Sequence, residues 1–194
     1  MSEVRENYGI DVRRCKYFAT LFLADTPLAT YVRSNYEGTS EGEKIKVDRI
    51  NHAFEVTVRE IAYEHVCFST TDTIKIEGGR VHFYVLSEQL LEAFSLKQNG
   101  KDVAYKIKNN YLYAPDGEYE FTYAYMPRLE EGLVFLPYSP RLTERIVALG
   151  TCANYCLMSG QYNEANAFDS AYKDALNSMK KSFVKRKVRK RRWL

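Results

Sequence analysis

The side chains that most often do chemistry are sparse in this sequence and are not at catalytic spacing. His52, His65 and His82 lack the His-Glu-x-x-His spacing that puts two imidazoles on one helix face to bind zinc. Glu60 and Glu64 precede His65, but Glu64 and His65 are adjacent and should point to different helix faces, which favours a solvated face over a metal site. No serine lies in a Gly-x-Ser-x-Gly elbow. We therefore predict no catalytic, metal-binding or cofactor-binding residue and no enzyme activity.

Glycine and cysteine patterns also favour structural roles. Gly78-Gly79 is not followed by the Lys-Ser/Thr of a phosphate-binding loop, so a β-hairpin turn is favoured. Cys152 and Cys156 are four apart in a predicted helix, where we expect them to pack as small apolar groups and not to form a disulfide. The N-terminus is polar and no apolar run is long enough to span a membrane. The sequence thus predicts a soluble protein made in a reducing compartment.

Charge is divided unevenly along the chain. The net charge is +3, but residues 180–194 carry nine Lys or Arg and no acid, which leaves 19 basic and 25 acidic side chains elsewhere. A basic tail on an acidic body favours an anionic partner, either nucleic acid or an acidic protein groove. The terminal Trp favours docking on a protein, with DNA contact or disorder as alternatives. The predicted docking residues are Lys185, Arg186, Lys187, Arg189, Lys190, Arg191, Arg192, Trp193 and Leu194.

Apolar residues recur at helical spacing in four stretches, which predict helices at about 11–23, 45–65, 140–158 and 164–182. Asp25-Thr26-Pro27 is expected to end the first helix. Ser139 and Asn163 are expected to cap the last two, which should pack closely through small residues.

Between the second and third predicted helices, over about 66–127, apolar and polar residues alternate instead of recurring at helical spacing. Pairs of turn-forming residues at 78–79, 99–100 and 109–110 predict hairpins, and 91–126 should form a meander. The predicted fold class is α+β: a four-helix bundle with an inserted small antiparallel β lobe and a basic C-terminal tail.

One strand of this lobe has a wholly aromatic face, because Tyr119, Phe121, Tyr123 and Tyr125 alternate with other residues. Such a row can stack nucleic-acid bases, but an acidic body repels phosphates, so packing or subunit contact is favoured. We assign these four residues, with Phe168 and Tyr172 of the last helix, to a subunit interface.

The order of these stretches resembles that of a known family. HVCFSTTDTIKI (65–76) is similar to its strand entry, and VHFYVLSEQLLEAFSLKQNGKDVAYKIKNNYLYAPDGEYEFTYAYMP (81–127) to its β lobe. LPYSPRLTERIVALGTCANYCLMSGQYNEANAFDSAYKDAL (136–176) is similar to its closing helices, and YFATLFLADTPLATY (17–31) to its opening helix. Loop 33–43 and the threonine-rich stretch 69–73 depart from the family pattern. Over residues 17–179 the chain resembles the head-to-tail connector or adaptor proteins of tailed phages, which are tail tubular protein A-like, portal-attached ring proteins.

The resemblance implies a structural virion protein of the phage neck, made in the host bacterial cytoplasm. Residues 1–179 would form the body of a homo-oligomeric ring, a dodecamer, that lines the DNA exit channel below the portal. Its other partners would be a downstream tail or nozzle protein and the DNA that passes without sequence specificity, with no membrane. Residues 180–194 would dock on the portal protein. The alternatives are a DNA-binding accessory protein acting through its basic tail and a hydrolase with a composite site between subunits.

Overall fold

The computed structural model describes residues 9–34, 40–129, 134–137 and 142–181. These residues belong to two compact units. The helical unit contains the described residues of 14–54 and 142–181, and the sheet unit contains those of 9–13 and 55–137. The predicted division into a body (1–179) and a docking tail (180–194) stays a prediction, because 182–194 lie outside the described residues.

Five α-helices are described. A π-helical turn, Ile61–His65, continues the third of them. The helices are α1 (Val12–Phe22), α2 (Thr26–Arg33), α3 (Glu41–Glu60), α4 (Glu144–Met158) and α5 (Tyr162–Lys181).

The sequence does not predict helix α2, because Asp25-Thr26-Pro27 is typical of a helix end. In the structure Asp25 caps α2: its Oδ1 accepts a hydrogen bond from the Leu28 N–H at 3.0 Å. Pro27 occupies the first turn of α2, where the missing N–H has no helical partner to lose. The three residues therefore end one helix and begin the next.

The caps of the last two helices also differ from the prediction. Thr143 is the N-cap of α4, with its side chain accepting from the Ile146 N–H at 3.4 Å. Ser139 lies outside the described residues. Helix α5 already includes Asn163, since the Ala165 N–H bonds to the Gln161 carbonyl, so Asn163 is not its cap.

Nine strands form three antiparallel sheets within the described residues. Strand β8 lies between β2 and β4 in a four-stranded sheet of order β2-β8-β4-β5, while β3-β7-β6 and β1-β9 form the other two. The strands are β1 (Ile10–Asp11), β2 (Ser69–Ile76), β3 (Arg80–His82), β4 (Gln89–Gln98), β5 (Lys101–Asp102), β6 (Lys106–Lys108), β7 (Tyr111–Tyr113), β8 (Gly117–Met126) and β9 (Phe135–Leu136).

The three short hairpins are confirmed. Both central residues have positive φ in each turn: 65° and 75° at Gly78-Gly79, 51° and 76° at Asn99-Gly100, and 51° and 64° at Asn109-Asn110. Glycine and asparagine tolerate this left-handed conformation, which matches the twist of the flanking strands.

The predicted four-helix bundle with a small inserted β lobe is wrong. The described chain is α+β with five helices and nine strands, and the sheets make up a compact unit with a hydrophobic core of their own. The predicted meander over 91–126 is wrong as well, because β8 pairs with β2 and β4 and not with β7. Strands that follow one another in the sequence usually pair with each other. Strand β8 lies instead between β2 and β4, where its aromatic face is buried.

Candidate interaction site

The predicted aromatic row of β8 packs inside the sheet unit. Tyr119, Phe121 and Tyr123 are buried among aliphatic side chains of β2, β4 and β7, and Tyr125 is partly buried beside them. The rings of Phe121 and Tyr123 stack at a centroid distance of 5.3 Å. Rings buried in this way offer little surface to a second chain, although Tyr125 keeps part of its ring exposed. The assignment of the row to a subunit interface stays a prediction.

One polar network closes the end of this row. The Tyr123 hydroxyl donates to Asp72 Oδ2 at 2.7 Å, and the Ser87 N–H donates to the same oxygen at 2.7 Å. The Ser87 hydroxyl donates to Asp72 Oδ1 at 2.8 Å, while the Glu88 N–H donates to the Tyr123 oxygen at 3.1 Å. The network joins β2 and β8 to the segment that enters β4.

The electrostatics of this network are those of a structural anchor. Burial opposes ionisation of Asp72, but the donors from Ser87 and Tyr123 outweigh it and lower the pKa of the carboxyl. Burial, together with the neighbouring Asp72 carboxylate, raises the pKa of Tyr123. A carboxylate that already accepts three hydrogen bonds is a weak base, so the arrangement fits positioning and not proton transfer.

The two predicted interface residues of α5 differ in exposure. Tyr172 is buried, and Phe168 is partly buried against the core of the helical unit. The small residues predicted to face α4 are Ala167, Ala171 and Ala175; the first two are exposed and Ala175 is only partly buried. The predicted docking residues from Lys185 to Leu194 lie outside the described residues.

Three exposed apolar side chains of the helical unit lie at the turn between α4 and α5. Leu157, Met158 and Tyr162 are 55%, 38% and 66% exposed, and we call them the α4–α5 corner. The turn between them is hydrogen-bonded: the Gln161 N–H donates to the Cys156 carbonyl at 2.9 Å, and Gly160 adopts φ of 74°. This is the left-handed helix ending that glycine allows.

Helix α3 braces the same turn. Arg49 Nη1 donates to Ser159 Oγ at 2.9 Å, and its guanidinium carbon lies 5.8 Å from the centroid of the Tyr155 ring. The α4–α5 corner is therefore an apolar surface on a turn that is fixed by hydrogen bonds within the turn and from Arg49. Sequence reasoning missed it because Leu157 falls on the helical period of the buried stripe; only the stop at Ser159-Gly160 directly after it marks a position where that stripe can leave the core.

His65 lies near two carboxylates, contrary to the expectation that Glu64 and His65 face apart. Its Nε2 is 3.8 Å from Glu60 Oε1 and 3.8 Å from Glu64 Oε2. The π-helical turn explains this, since the Val66 N–H bonds to the Ile61 carbonyl and changes the angular spacing of the side chains. Across the described ranges no group of three His, Cys, Asp or Glu side chains could hold a metal ion.

All four cysteines fall in the described part of the chain, and they are thiols. Cys152 and Cys156 are buried on α4, and the Cys152 thiol donates to the Ala19 carbonyl at 3.3 Å. Burial raises the pKa of both thiols, which disfavours the reactive thiolate. Packing as small apolar groups is confirmed for this pair.

None of the helices described is both long and apolar enough to cross a membrane. No protein-family model matches the chain, and no curated protein matches it.

Proposed function

We propose that the chain is a structural protein of a tailed-phage virion, a subunit of the adaptor ring between the portal and the tail. In this proposal identical copies close into a ring, a dodecamer, around the DNA exit channel. The helical unit contacts neighbouring copies, and the basic segment 180–194 docks on the portal. The downstream tail or nozzle protein binds the assembled ring.

The observation that carries the proposal is the α4–α5 corner. Large apolar side chains grouped on a surface are typical of protein–protein contacts. Because Arg49 and the turn hydrogen bonds hold this corner in place, little conformational entropy is lost when a partner covers it. The resemblance of residues 17–179 to phage adaptors supplies the kind of partner, a second copy of the chain.

The test is assembly of the purified protein with the portal ring encoded by the same genome, followed by sedimentation velocity. We expect saturable binding of the full chain, and weaker binding of a chain that ends at Met179. The double variant Leu157→Ser/Tyr162→Ser should lose ring formation by about tenfold or more in affinity, as expected for central interface residues.

The matched control is Ile45→Ser/Tyr63→Ser, which removes one exposed aliphatic and one exposed tyrosine elsewhere. This control should assemble as the wild type does. Loss of assembly in both variants would show that the corner has no special role. Absence of any association with the portal, alongside salt-sensitive binding to DNA, would refute the adaptor and favour the DNA-binding accessory protein.

A further inference from the structure

The outward face of the β3–β7–β6 sheet is basic and aromatic. The register pairs Arg80 with Tyr113 and Tyr113 with Lys106, and two residues along it pairs His82 with Tyr111 and Tyr111 with Lys108. Paired residues, and residues two apart on a strand, lie on the same side of a sheet. We call this set the basic aromatic face: Arg80, His82, Lys106, Lys108, Tyr111 and Tyr113.

The opposite side of the same sheet packs on the core. Between the outward positions lie Val81, Leu112 and Ile107, which are also paired with one another. Leu112 is buried and Val81 packs against the core of the sheet unit. Leu112 and Val81 therefore hold this side against the core, while Ile107 on strand β6 is 45% exposed. The polar and aromatic side faces away from the core.

One exposed tyrosine next to these six residues extends the row of rings on the basic aromatic face. Tyr84, in the turn after β3, is 81% exposed and stacks on His82 at a centroid distance of 5.0 Å. The Tyr84 N–H donates to His82 Nδ1 at 3.0 Å, which holds the two residues together. His82 in turn meets the Tyr111 ring edge-on at 4.7 Å, and Tyr111 lies 6.3 Å from Tyr113.

The cations of the face are available to an anion. Arg80 lies over the Tyr111 ring, with its guanidinium carbon 5.1 Å from the ring centroid. Among the residues described, its guanidinium forms no ion pair with a carboxylate. Lys106 and Lys108 are exposed, and neither forms an ion pair within the residues described. Three positive charges thus border the rings.

Two of the acidic side chains near this face in sequence have partners of their own. Glu77, next to the β2–β3 turn, pairs with Lys75 at 2.6 Å. Asp116 Oδ1 accepts the Gly79 N–H at 2.7 Å. No carboxylate is among the six residues of the face, so its own charge is positive although the body of the chain is net acidic.

We propose that the basic aromatic face binds a single strand of nucleic acid. Tyr84 is exposed, and Tyr111 and Tyr113 are partly exposed, so their rings give bases a surface to stack on. Neighbouring cations neutralise the phosphates between the bases, and this combination is characteristic of single-strand binding. A duplex hides its base faces, so the rings favour a single strand. The property goes beyond the adaptor role, which requires only that duplex DNA pass by. Bases stack on Tyr84, Tyr111 and Tyr113, and phosphates contact Arg80, Lys106 and Lys108.

The first test measures stacking. The full chain is titrated into a fluorescein-labelled deoxythymidine oligonucleotide, with binding followed by anisotropy. Tyr84→Ala should weaken binding about fivefold or more, the effect of losing one base stack. The matched control is Tyr63→Ala, since Tyr63 is 76% exposed and belongs to the π-helical turn and not to the three strands. Both side chains are exposed, so both variants should fold, which circular dichroism verifies.

The second test measures phosphate contact against the background of the basic segment 180–194, which every variant keeps. Lys106→Ala/Lys108→Ala should lower the slope of log affinity against log salt by about 1.4, as expected for two phosphates of a single strand. Lys44→Ala/Lys101→Ala removes two exposed lysines elsewhere and should leave the slope unchanged.

The outcomes separate this face from other sources of binding. Affinity that is unchanged in both face variants would overturn the proposal, because the basic segment 180–194 would then account for all binding. A loss of duplex affinity in both face variants as large as their loss of single-strand affinity would also overturn it. Equal binding of deoxythymidine and uridine oligonucleotides is the expected result, since bases and phosphates are common to both. Binding of only one of the two would refute recognition through these shared groups.

Discussion

The sheet unit contains two groups of aromatic side chains with opposite surroundings. On β8, Tyr119, Phe121 and Tyr123 are buried among aliphatic residues. On the β3–β7 side, Tyr84 is almost fully exposed, and Tyr111 lies under the Arg80 guanidinium. Rings of the same kind therefore form a core in one place and a partly exposed surface in the other.

The difference follows from strand position and from neighbouring residues. Strand β8 is paired on both sides, by β2 and β4, so its aromatic face has a continuous sheet behind it and the core in front. Strands β3, β6 and β7 are three residues each, and cations alternate with the rings on their outward side. Lysine and arginine cannot enter a core without partners, so their presence keeps the second group of rings at the surface.

The largest expected effect is on the buried group. Phe121→Ala should lower the free energy of unfolding by about 3–5 kcal/mol, because it removes a fully buried ring and leaves a cavity. Urea unfolding followed by near-ultraviolet circular dichroism measures this. A loss below about 1 kcal/mol would contradict a tightly packed row and place Phe121 at a surface.

A smaller effect is expected where the buried group meets the polar network. Tyr123→Phe keeps the ring but removes the hydroxyl that donates to the Asp72 carboxylate. A hydrogen bond to a charged group contributes about 1.5–3 kcal/mol, so urea unfolding should show a loss in that range. Tyr125→Phe is the control on the same strand, because Tyr125 is not part of that network, and it should change the unfolding free energy less.

The folding stability of the sheet unit should depend on pH through the Asp72 carboxyl. Its pKa is lowered in the folded state, so its contribution to stability is present above the ordinary carboxyl pKa of 3.8 and is lost as pH falls through the folded value. Unfolding measured from pH 6 down to acid should therefore show a steeper loss for the wild type than for Asp72→Asn. Parallel profiles would mean that the folded carboxyl titrates as it does in the unfolded chain.

The smallest effect on stability is expected in the exposed group. Tyr84→Ala should change the free energy of unfolding by no more than about 0.5 kcal/mol, since the side chain is 81% exposed. Thermal unfolding of this variant should superimpose on that of the wild type. A shift as large as that of Phe121→Ala would show that Tyr84 belongs to the core and would remove the contrast between the two groups.

Local signals in the sequence were reliable where one or two residues decide the conformation. The pairs Gly78-Gly79, Asn99-Gly100 and Asn109-Asn110 predict hairpin turns, and all three occur. The same local approach failed at Asp25-Thr26-Pro27, because a stop for one helix and a cap for the next use the same residue types. It also failed at His65, where a π-helical turn replaces the expected α-helical spacing.

The candidate surfaces were less predictable than the turns. Leu157 has the period of a buried residue, yet it is exposed, because α4 ends at the next residue and the chain turns there. The residues of the basic aromatic face come from three separated stretches, 80–84, 106–108 and 111–113, and no one of them is distinctive alone. Only pairing of the strands brings these stretches onto one side of a sheet.

By itself the sequence determined the alternation of the β8 aromatic row, the positive-φ turns, the approximate positions of four helices and the uneven division of charge. These properties depend on residues close together in the chain, which periodicity and turn chemistry describe. Tertiary structure decided that β8 lies between β2 and β4, that the strands form a unit with its own core, and which rings stay exposed. Those outcomes depend on burial, and burial is set by residues distant in sequence that meet only when the chain folds.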